Sequence, residues 1–438
     1  MTRFKQLAPL LHTKLGERVV RQFLTIGSLR LVTGATQFAV IIFLATILSL
    51  DELGQYSLAV IYLTYAIQLT GLNLHTYALR DQATVSRDKW PALLQQQWIF
   101  LAISTTAVVA LISMLQCSQV LQLPTLPYFS ALLFLGALNT QNENFLVGAS
   151  RPISSAISLL LRASWIYAVI LLNLGLSRPM TLQAILSMWT CAEILGLLFS
   201  LTLLARARLL PTRWYGINKN WLLKGLRVGT HYTVLGLLLI VSFSVQRVAL
   251  GHLLDGQAVG IFHFFFVISV FGPNLLEASL FAIYLPRLIA NSASRNLPSL
   301  QLPSRLSLAL LAGGGAIGLA VLYAILPVFT RILGKPELLE YSSLFAFTAT
   351  YALLYTVARA FHYSLYAAQA DRWLLKVNAM VCFIACTTSF VFVSYFGLQG
   401  AGWSLLLSGF SLLAGNCVPF FNTSVRESVI GKNTHSPK

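Results

Sequence analysis

The sequence predicts an all-α, polytopic membrane protein of about twelve membrane-spanning helices in two six-helix lobes, and three observations predict it. Of its 438 residues 57% are apolar and only 10% charged, where an ordinary soluble domain carries roughly 25% charged residues. The apolar residues come in runs of about 20, the length that crosses a hydrocarbon core of about 30 Å. The basic residues concentrate on alternate connections between those runs.

The first runs fall near 23–48, 56–78, 97–116, 128–149, 154–175 and 180–205, spans 1 to 6. The second set falls near 230–250, 258–285, 306–330, 342–368, 373–396 and 400–421, spans 7 to 12. The longest polar interruption, Arg206 to Arg227, reads as a linker (206–229) between an N-terminal lobe (23–205) and a C-terminal lobe (230–421). A basic, semi-apolar segment (1–22) precedes them and a tail (422–438) follows. The first apolar run is too long for a signal-peptide core and lacks a clear small-residue cleavage site, so an uncleaved interfacial segment is expected. Because six is even, both lobes enter the membrane from the same side, and any repeat is parallel, about an axis along the membrane normal. One echo of such a repeat is present: Leu-Gly-Gln-Tyr at 53–56 against Val-Gly-Ile-Phe at 259–262.

The formal charge of +17 raises the question of nucleic acid, and the placement of the charge answers it. With the N-terminus inside, only Arg178, Arg331 and Lys335 fall on outer connections. Arg30, Arg162, Arg247 and Arg359 lie within or at the ends of spans, and every other Lys and Arg is on the inner side. That asymmetry is the positive-inside pattern of a multi-pass protein with both termini cytoplasmic. The five cysteines are scattered and form neither a disulfide framework nor a metal knuckle; Cys382 and Cys386 share a helix face as small packing residues. The glycines at 313–315 lie within a span, with no Gly-Lys-Ser/Thr after them, so no ATP-binding loop is present. No cofactor or metal is expected.

Three acids, Glu143, Glu193 and Glu277, join the four intramembrane arginines. At about 3 kcal/mol each on an insertion scale, seven lipid-facing charges would cost on the order of 20 kcal/mol, above a typical folding stability of ~5–15 kcal/mol. Most must therefore pair with one another or face water. Arg247, near the outer end of span 7, has snorkelling as a further option.

Span 10 carries the densest polar stripe. Tyr351, Tyr355, Arg359, His362, Tyr366 and Gln369 recur every three or four residues and fall on one helix face. Aromatic rings stack on the apolar faces of sugars and guanidinium grips phosphate; a polar seam against neighbouring helices is the alternative. In span 5, Ser155, Ser158, Arg162 and Trp165 share a face suited to close packing or to a hydrated wall. Span 4 places Gln141, Asn142, Glu143 and Asn144 around one turn, so this helix is central or distorted. In span 8, His263, Asn274 and Glu277 lie close in helical angle, and Pro273 beside them predicts a kink. Arg30, Glu143, Arg162, Glu277 and Arg359 fall in the inner half of the membrane, where surplus positive charge in an inward-facing cavity would concentrate anions.

Two segments, Phe38 to Arg80 (FAVIIFLATILSLDELGQYSLAVIYLTYAIQLTGLNLHTYALR) and Ser242 to Phe271 (SFSVQRVALGHLLDGQAVGIFHFFFVISVF), show an apolar span, a short turn, then a glycine followed two positions later by an aromatic residue. With Leu326 to Gly334 (LPVFTRILG), they resemble the polysaccharide flippases, the O-antigen and exopolysaccharide repeat-unit exporters of the multidrug/oligosaccharidyl-lipid/polysaccharide superfamily. The resemblance covers nearly the whole chain in span pattern. It implies two six-helix lobes around a central cavity. It also implies alternating access that moves undecaprenyl-diphosphate-linked oligosaccharide from the cytoplasmic to the periplasmic leaflet of a bacterial inner membrane, for lipopolysaccharide and other surface polysaccharides. Membrane lipid and that lipid-linked oligosaccharide are then the expected partners, with a polysaccharide polymerase and chain-length proteins alongside. Arg30, Arg162, Arg359, Tyr355, His362, Tyr366 and Arg247 are the substrate-binding candidates. Many relatives have an acid just before the arginine near the end of span 7; here Gln246 precedes Arg247, which leaves Glu143, Glu277 and His263 as the ion-coupling candidates.

The nearest rival is a multidrug extruder of the same superfamily, which would favour acidic pockets for drug cations; four arginines against three acids tilt the reading towards an anionic lipid head. A membrane polymerase or glycosyltransferase would require a substantial outer loop or a catalytic acidic motif, and Asp51-Glu52 is the only adjacent acidic pair, so no enzyme activity is expected. A purely structural scaffold gives no reason for several arginines at membrane depth.

Overall fold

In the computed structural model, residues 14–118, 126–175, 180–293, 302–303, 305–368, 370–422 and 425 are described. Among them all regular structure is helical, as predicted. The helices are α1 (Lys14–Ile47), α2 (Leu50–Leu69), α3 (Leu74–Thr84), α4 (Trp90–Cys117), α5 (Leu126–Gly148), α6 (Pro152–Ala163) and α7 (Trp165–Gly175). They continue with α8 (Leu182–Arg206), α9 (Lys219–Leu253), α10 (Gly256–Ala293), α11 (Arg305–Ala309), α12 (Gly315–Ile332), α13 (Ser342–Ala367) and α14 (Asp371–Phe421).

Every apolar run in the sequence has a helical counterpart. Nine helical stretches among the described residues are long and apolar enough to cross a membrane, and Leu31–Ile47 is a shorter apolar one. Helix α5, 23 residues long, is diluted by the polar turn at 141–144. Helix α14 supplies two spans. At ~1.5 Å per residue its 51 residues would far exceed the ~30 Å hydrocarbon core, and the chain reverses at Gly397, whose φ of 58° and ψ of −137° are open to glycine alone. Ser404 Oγ lies 2.9 Å from Ser389 Oγ, and Trp373 Nε1 donates to Gly415 O at 3.0 Å, so the two halves run antiparallel. Large apolar side chains face outward, among them Leu174, Ile332, Phe383 and Tyr395, each more than 70% exposed. A surface of that kind needs lipid as its solvent.

Two predicted spans are interrupted. Span 2 breaks at Thr70–Asn73, where Gly71, Leu72 and Asn73 all have positive φ and Ser104 Oγ accepts from Gly71 N. Span 5 breaks at Ser164, between α6 and α7. Neither break is carried by proline, the sequence signal that marks most interruptions. At Pro273, by contrast, α10 continues as a helix.

The chain forms two compact units, Met1–Val40 with Tyr62–Thr233 and Ile41–Ile61 with Val234–Lys438. In the first, α5 packs against α8, α6, α4 and α3, and Leu74, Leu94, Leu146, Leu204, Leu209 and Trp221 form an apolar cluster. The polar stretch after α8 is pinned to this unit. Gln95 Oε1 accepts from Tyr215 N, Gln96 Oε1 accepts from Asn218 N, and Trp221 Nε1 donates to Asp81 Oδ2 at 2.7 Å.

In the second unit α2 opens with a reciprocal cap: Ser49 Oγ accepts from Glu52 N, and Glu52 Oε2 accepts from Ser49 N at 3.0 Å. Asp255 caps α10 by accepting from Ala258 N at 2.7 Å. Lys335, buried in the turn after α12, donates to Leu48 O at the end of α1; burial holds its pKa below the ordinary lysine value, against the opposing pull of Glu337 and Glu52. The α2 and α10 backbones then touch. A Cβ on Gly54 would stand 1.9 Å from Gly256 O, and one on Gly260 would stand 2.0 Å from Leu50 O. The glycines of the 53–56 and 259–262 echo therefore meet as mutual partners, each against the carbonyl four residues before the other.

Gly54→Ala and Gly260→Ala are each expected to destabilise the protein by about 1–3 kcal/mol through overpacking, read as a lowered melting temperature in detergent. Gly313→Ala, with nothing within 4 Å of its Cβ position, is expected to melt like the parent.

Candidate functional site

Among the described residues each unit holds a buried cluster built on ion pairs. In the first, Arg162 reaches from α6 to two acids. Its Nη1 lies 3.0 Å from Glu143 Oε2 on α5, and its Nε lies 2.7 Å from Glu193 Oε2 on α8. Asn139 Nδ2, one turn before Glu143, donates to Glu193 Oε2 at 2.8 Å, and Trp189 Nε1 donates to Glu193 Oε1 at 3.3 Å. Trp189 in turn stacks on Trp165 at 5.9 Å between ring centroids. Gly196 on α8 makes room for the arginine stem, since a Cβ there would stand 2.6 Å from Arg162 Cγ.

The polar turn of α5 is accommodated because α5 is central in its unit, one of the two options the sequence left open. Asn142 accepts from Trp98 Nε1 at 2.9 Å and donates to Ser200 Oγ, and Asn144 Nδ2 donates to Thr140 O. Of the span 5 face, Ser158, Arg162 and Trp165 turn inward, with Ser158 fully buried.

In the second unit Arg359 on α13 pairs with Glu277 on α10, Nε to Oε1 at 2.9 Å. Tyr363 closes a triangle: Arg359 Nη2 donates to its hydroxyl at 2.8 Å, and that hydroxyl donates to Glu277 Oε1 at 3.0 Å. The guanidinium lies 4.6 Å from the Tyr363 ring and 6.0 Å from the Tyr355 ring. From Tyr355 the rings continue to Tyr351 at 5.9 Å and Phe266 at 6.1 Å, and the Arg247 guanidinium sits 4.7 Å over Phe266. Arg247 Nη1 also lies 3.2 Å from His263 Nδ1. Two arginines are thus joined by a ladder of aromatic rings.

The structure therefore brings Arg162 together with Glu143, Arg359 with Glu277 and Tyr355, and Arg247 with His263. Arg162 and Arg359 meet carboxylates directly. His362 is not a rung between the two arginines; its ring lies beside Tyr363 at 5.9 Å, at the Arg359 end. Tyr366 is 47% exposed, and Asn274 is exposed as well. The side chain of Arg30 and all of Gln369 lie outside the described residues. Sequence reasoning assigns no role to Glu193 or Tyr363. Tyr363 stands four residues after Arg359, the spacing that puts side chains on one face, and that spacing is the signal available for it. Among the described residues no group of three or more His, Cys, Asp or Glu is placed to hold a metal ion.

No protein-family model and no curated protein sequence matches the chain. Solved structures do. An inward-facing multidrug-resistance MATE transporter of the MOP superfamily superposes with a TM-score of 0.71 at 15% identity, over 92% of this chain and 96% of that one. The lipid II flippase MurJ, in an inward closed conformation, gives 0.66 at 11% identity, over 94% and 93%. A MATE protein in complex with MaD3S gives 0.60 at 14%, over 93% and 94%. The chain shares their fold. At this level of identity the fold is what is shared. These neighbours include both a multidrug-resistance transporter and a lipid II flippase.

Removing one member of the Arg359–Glu277 pair leaves a buried charge without its counter-ion, which costs about 3–5 kcal/mol. Arg359→Met is expected to lower stability by that amount in denaturant titrations, and Arg359→Met combined with Glu277→Leu is expected to regain most of it, so that the double variant is far more stable than the sum of the two single losses predicts.

Proposed function

We propose that this protein is a membrane transporter that flips a polyprenyl-diphosphate-linked oligosaccharide from the cytoplasmic to the outer leaflet of a bacterial inner membrane, by alternating access. The observation that carries the proposal is the ring ladder from Arg247 through Phe266, Tyr351 and Tyr355 to Arg359. Flat aromatic faces suit sugar rings, and planar guanidinium suits a diphosphate. Support also comes from the fold, which a lipid II flippase shares along nearly its whole length. The inner-side concentration of Lys and Arg fits both termini in the cytoplasm.

One observation favours a second reading, extrusion of drug cations. The cluster around Arg162 holds two carboxylates to one guanidinium, and its surplus negative charge would suit a cationic cargo.

Reconstitution in vesicles separates the two. The flippase reading expects a fluorescent polyprenyl-diphosphate sugar to become accessible on the opposite leaflet. Tyr355→Leu is expected to slow this roughly tenfold, for a loss of ~1.4 kcal/mol, while Tyr355→Phe, which keeps the ring, stays near the parent rate. Pumping of a cationic dye without any lipid translocation would establish the second reading instead.

A further inference from the structure

Between α8 and α9 the chain collects positive charge. Arg206, Arg208, Arg213, Lys219, Lys224 and Arg227 are all exposed, and no Asp or Glu occurs from Ile194 to Leu254. Large apolar side chains stand outside among them: Trp214 is 69% exposed, Leu223 65% and Ile217 50%. A basic cluster of this size directly beside membrane spans, interleaved with an aromatic ring, is the pattern that an anionic lipid surface attracts.

A signal for membrane orientation needs the charges alone, but this connection also has a fixed backbone. Leu209 and Trp221 tie its two ends into the apolar cluster of the first unit. Between them Gln95 Oε1 accepts from Tyr215 N and Gln96 Oε1 accepts from Asn218 N, while both glutamine amides donate to Gly216 O. Both glutamines are buried, and Gly216 takes the positive φ of 75° that the turn requires. Holding Tyr215 and Gly216 in this way keeps Trp214, next to them, on the outside. Water is a poor medium for an indole held there, whereas the head-group region is apolar on one side and wet on the other.

Two of the arginines are placed with equal care. Arg213 lays its guanidinium 5.1 Å from the Tyr215 ring, beside Trp214. Arg208 closes α8 with a φ of 56°, the left-handed position that glycine usually fills, and there Leu209 N donates to Leu204 O and Arg208 N donates to Ala205 O. A side chain in that conformation is strained, so the turn itself asks for glycine and the arginine comes at a cost to the fold. Planar guanidinium matches the oxygens of a phosphate in a two-pronged way. Asp81, the acid that bonds Trp221 at 2.7 Å, leaves the surplus of this surface strongly positive.

We propose that the connection between α8 and α9 is a docking surface for the anionic phospholipid head groups of the leaflet it faces. Trp214 sits among the head groups, and Arg208 and Arg213 take their phosphates. A lipid surface is the occupant because Trp214 and Ile217 belong to the same exposed face as the charges, and a soluble phosphate gives them nothing to bind. The inference concerns the first unit alone and does not depend on the cargo proposed above.

Tryptophan quenching by brominated lipid acts at close range and reads the contact on the full-length protein. The protein is placed in phosphatidylcholine vesicles carrying either brominated phosphatidylglycerol or the same mole fraction of brominated phosphatidylcholine. The parent is expected to be quenched more strongly by the phosphatidylglycerol. The chain has eight tryptophans, and Trp214→Phe is expected to remove that excess. Arg208→Gly, which relieves the strained turn, and Arg213→Gln are each expected to raise the phosphatidylglycerol fraction that gives half of the excess about fivefold, the equivalent of ~1 kcal/mol, with melting temperatures near that of the parent. Arg372→Gln, which removes an exposed basic residue from the second unit, is expected to leave the excess unchanged. Should Trp214→Phe fail to fold, the two arginine variants read against Arg372→Gln carry the test. The proposal is overturned by equal quenching of the parent by the two lipids, by an excess that survives Trp214→Phe, or by arginine variants that match the parent or lose no more than Arg372→Gln does. An excess abolished by inorganic phosphate at constant ionic strength would also overturn it, by making the arginines a soluble-anion site.

Discussion

A guanidinium in hydrocarbon has to be met by carboxylates or by water, and much of the local structure follows from how this chain meets that demand. For Arg162 to reach Glu143 and Glu193 together, α5, α6 and α8 must converge at one level. Gly196 is the consequence on α8, because a larger residue would occupy the path of the arginine stem. Asn139 and Trp189 are further consequences, since the remaining lone pairs of Glu193 need donors in a region without bulk water. The polar turn of α5, which would be untenable against lipid, is tolerated because the same convergence surrounds it with protein.

The second unit meets the demand differently. Arg359 has one acid, and its remaining valence is met by a phenol and by ring faces. Rings extend that solution along α13 and across to α10, so that the Arg247 region and the Arg359 region are linked by polarizable surface instead of by further charges. The first unit instead sets two carboxylates against one guanidinium. The two clusters are thus chemically distinct, one set by charge surplus and the other by aromatic surface.

Close backbone approach is the other recurring device. Without a hydrophobic drive between helices in lipid, contact depends on small residues that let carbonyls and Cα atoms meet. Gly54 and Gly260 do this reciprocally across α2 and α10, and the caps provided by Ser49, Glu52 and Asp255 fix where those helices start and hence which glycine faces which carbonyl.

The order and approximate limits of the apolar runs could be read from the sequence because bilayer thickness imposes a length and a composition on each span independently of its neighbours. That intramembrane charges must pair or face water was legible for the same reason, from the cost of an isolated ion, and the polar turn of α5 narrowed that helix to central or distorted. Which charge met which was a different matter. Arg162 lies 19 residues after Glu143 and 31 before Glu193, and Arg359 lies 82 residues beyond Glu277; no helical period relates such separations, so only the packing of α5 with α6 and α8, and of α10 with α13, decided the partners. The breaks at Gly71 to Asn73 and at Ser164, and the conversion of a weak sequence echo into a glycine contact, likewise belong to tertiary structure, because each depends on the surface an adjoining helix presents and not on the preference of the residues themselves.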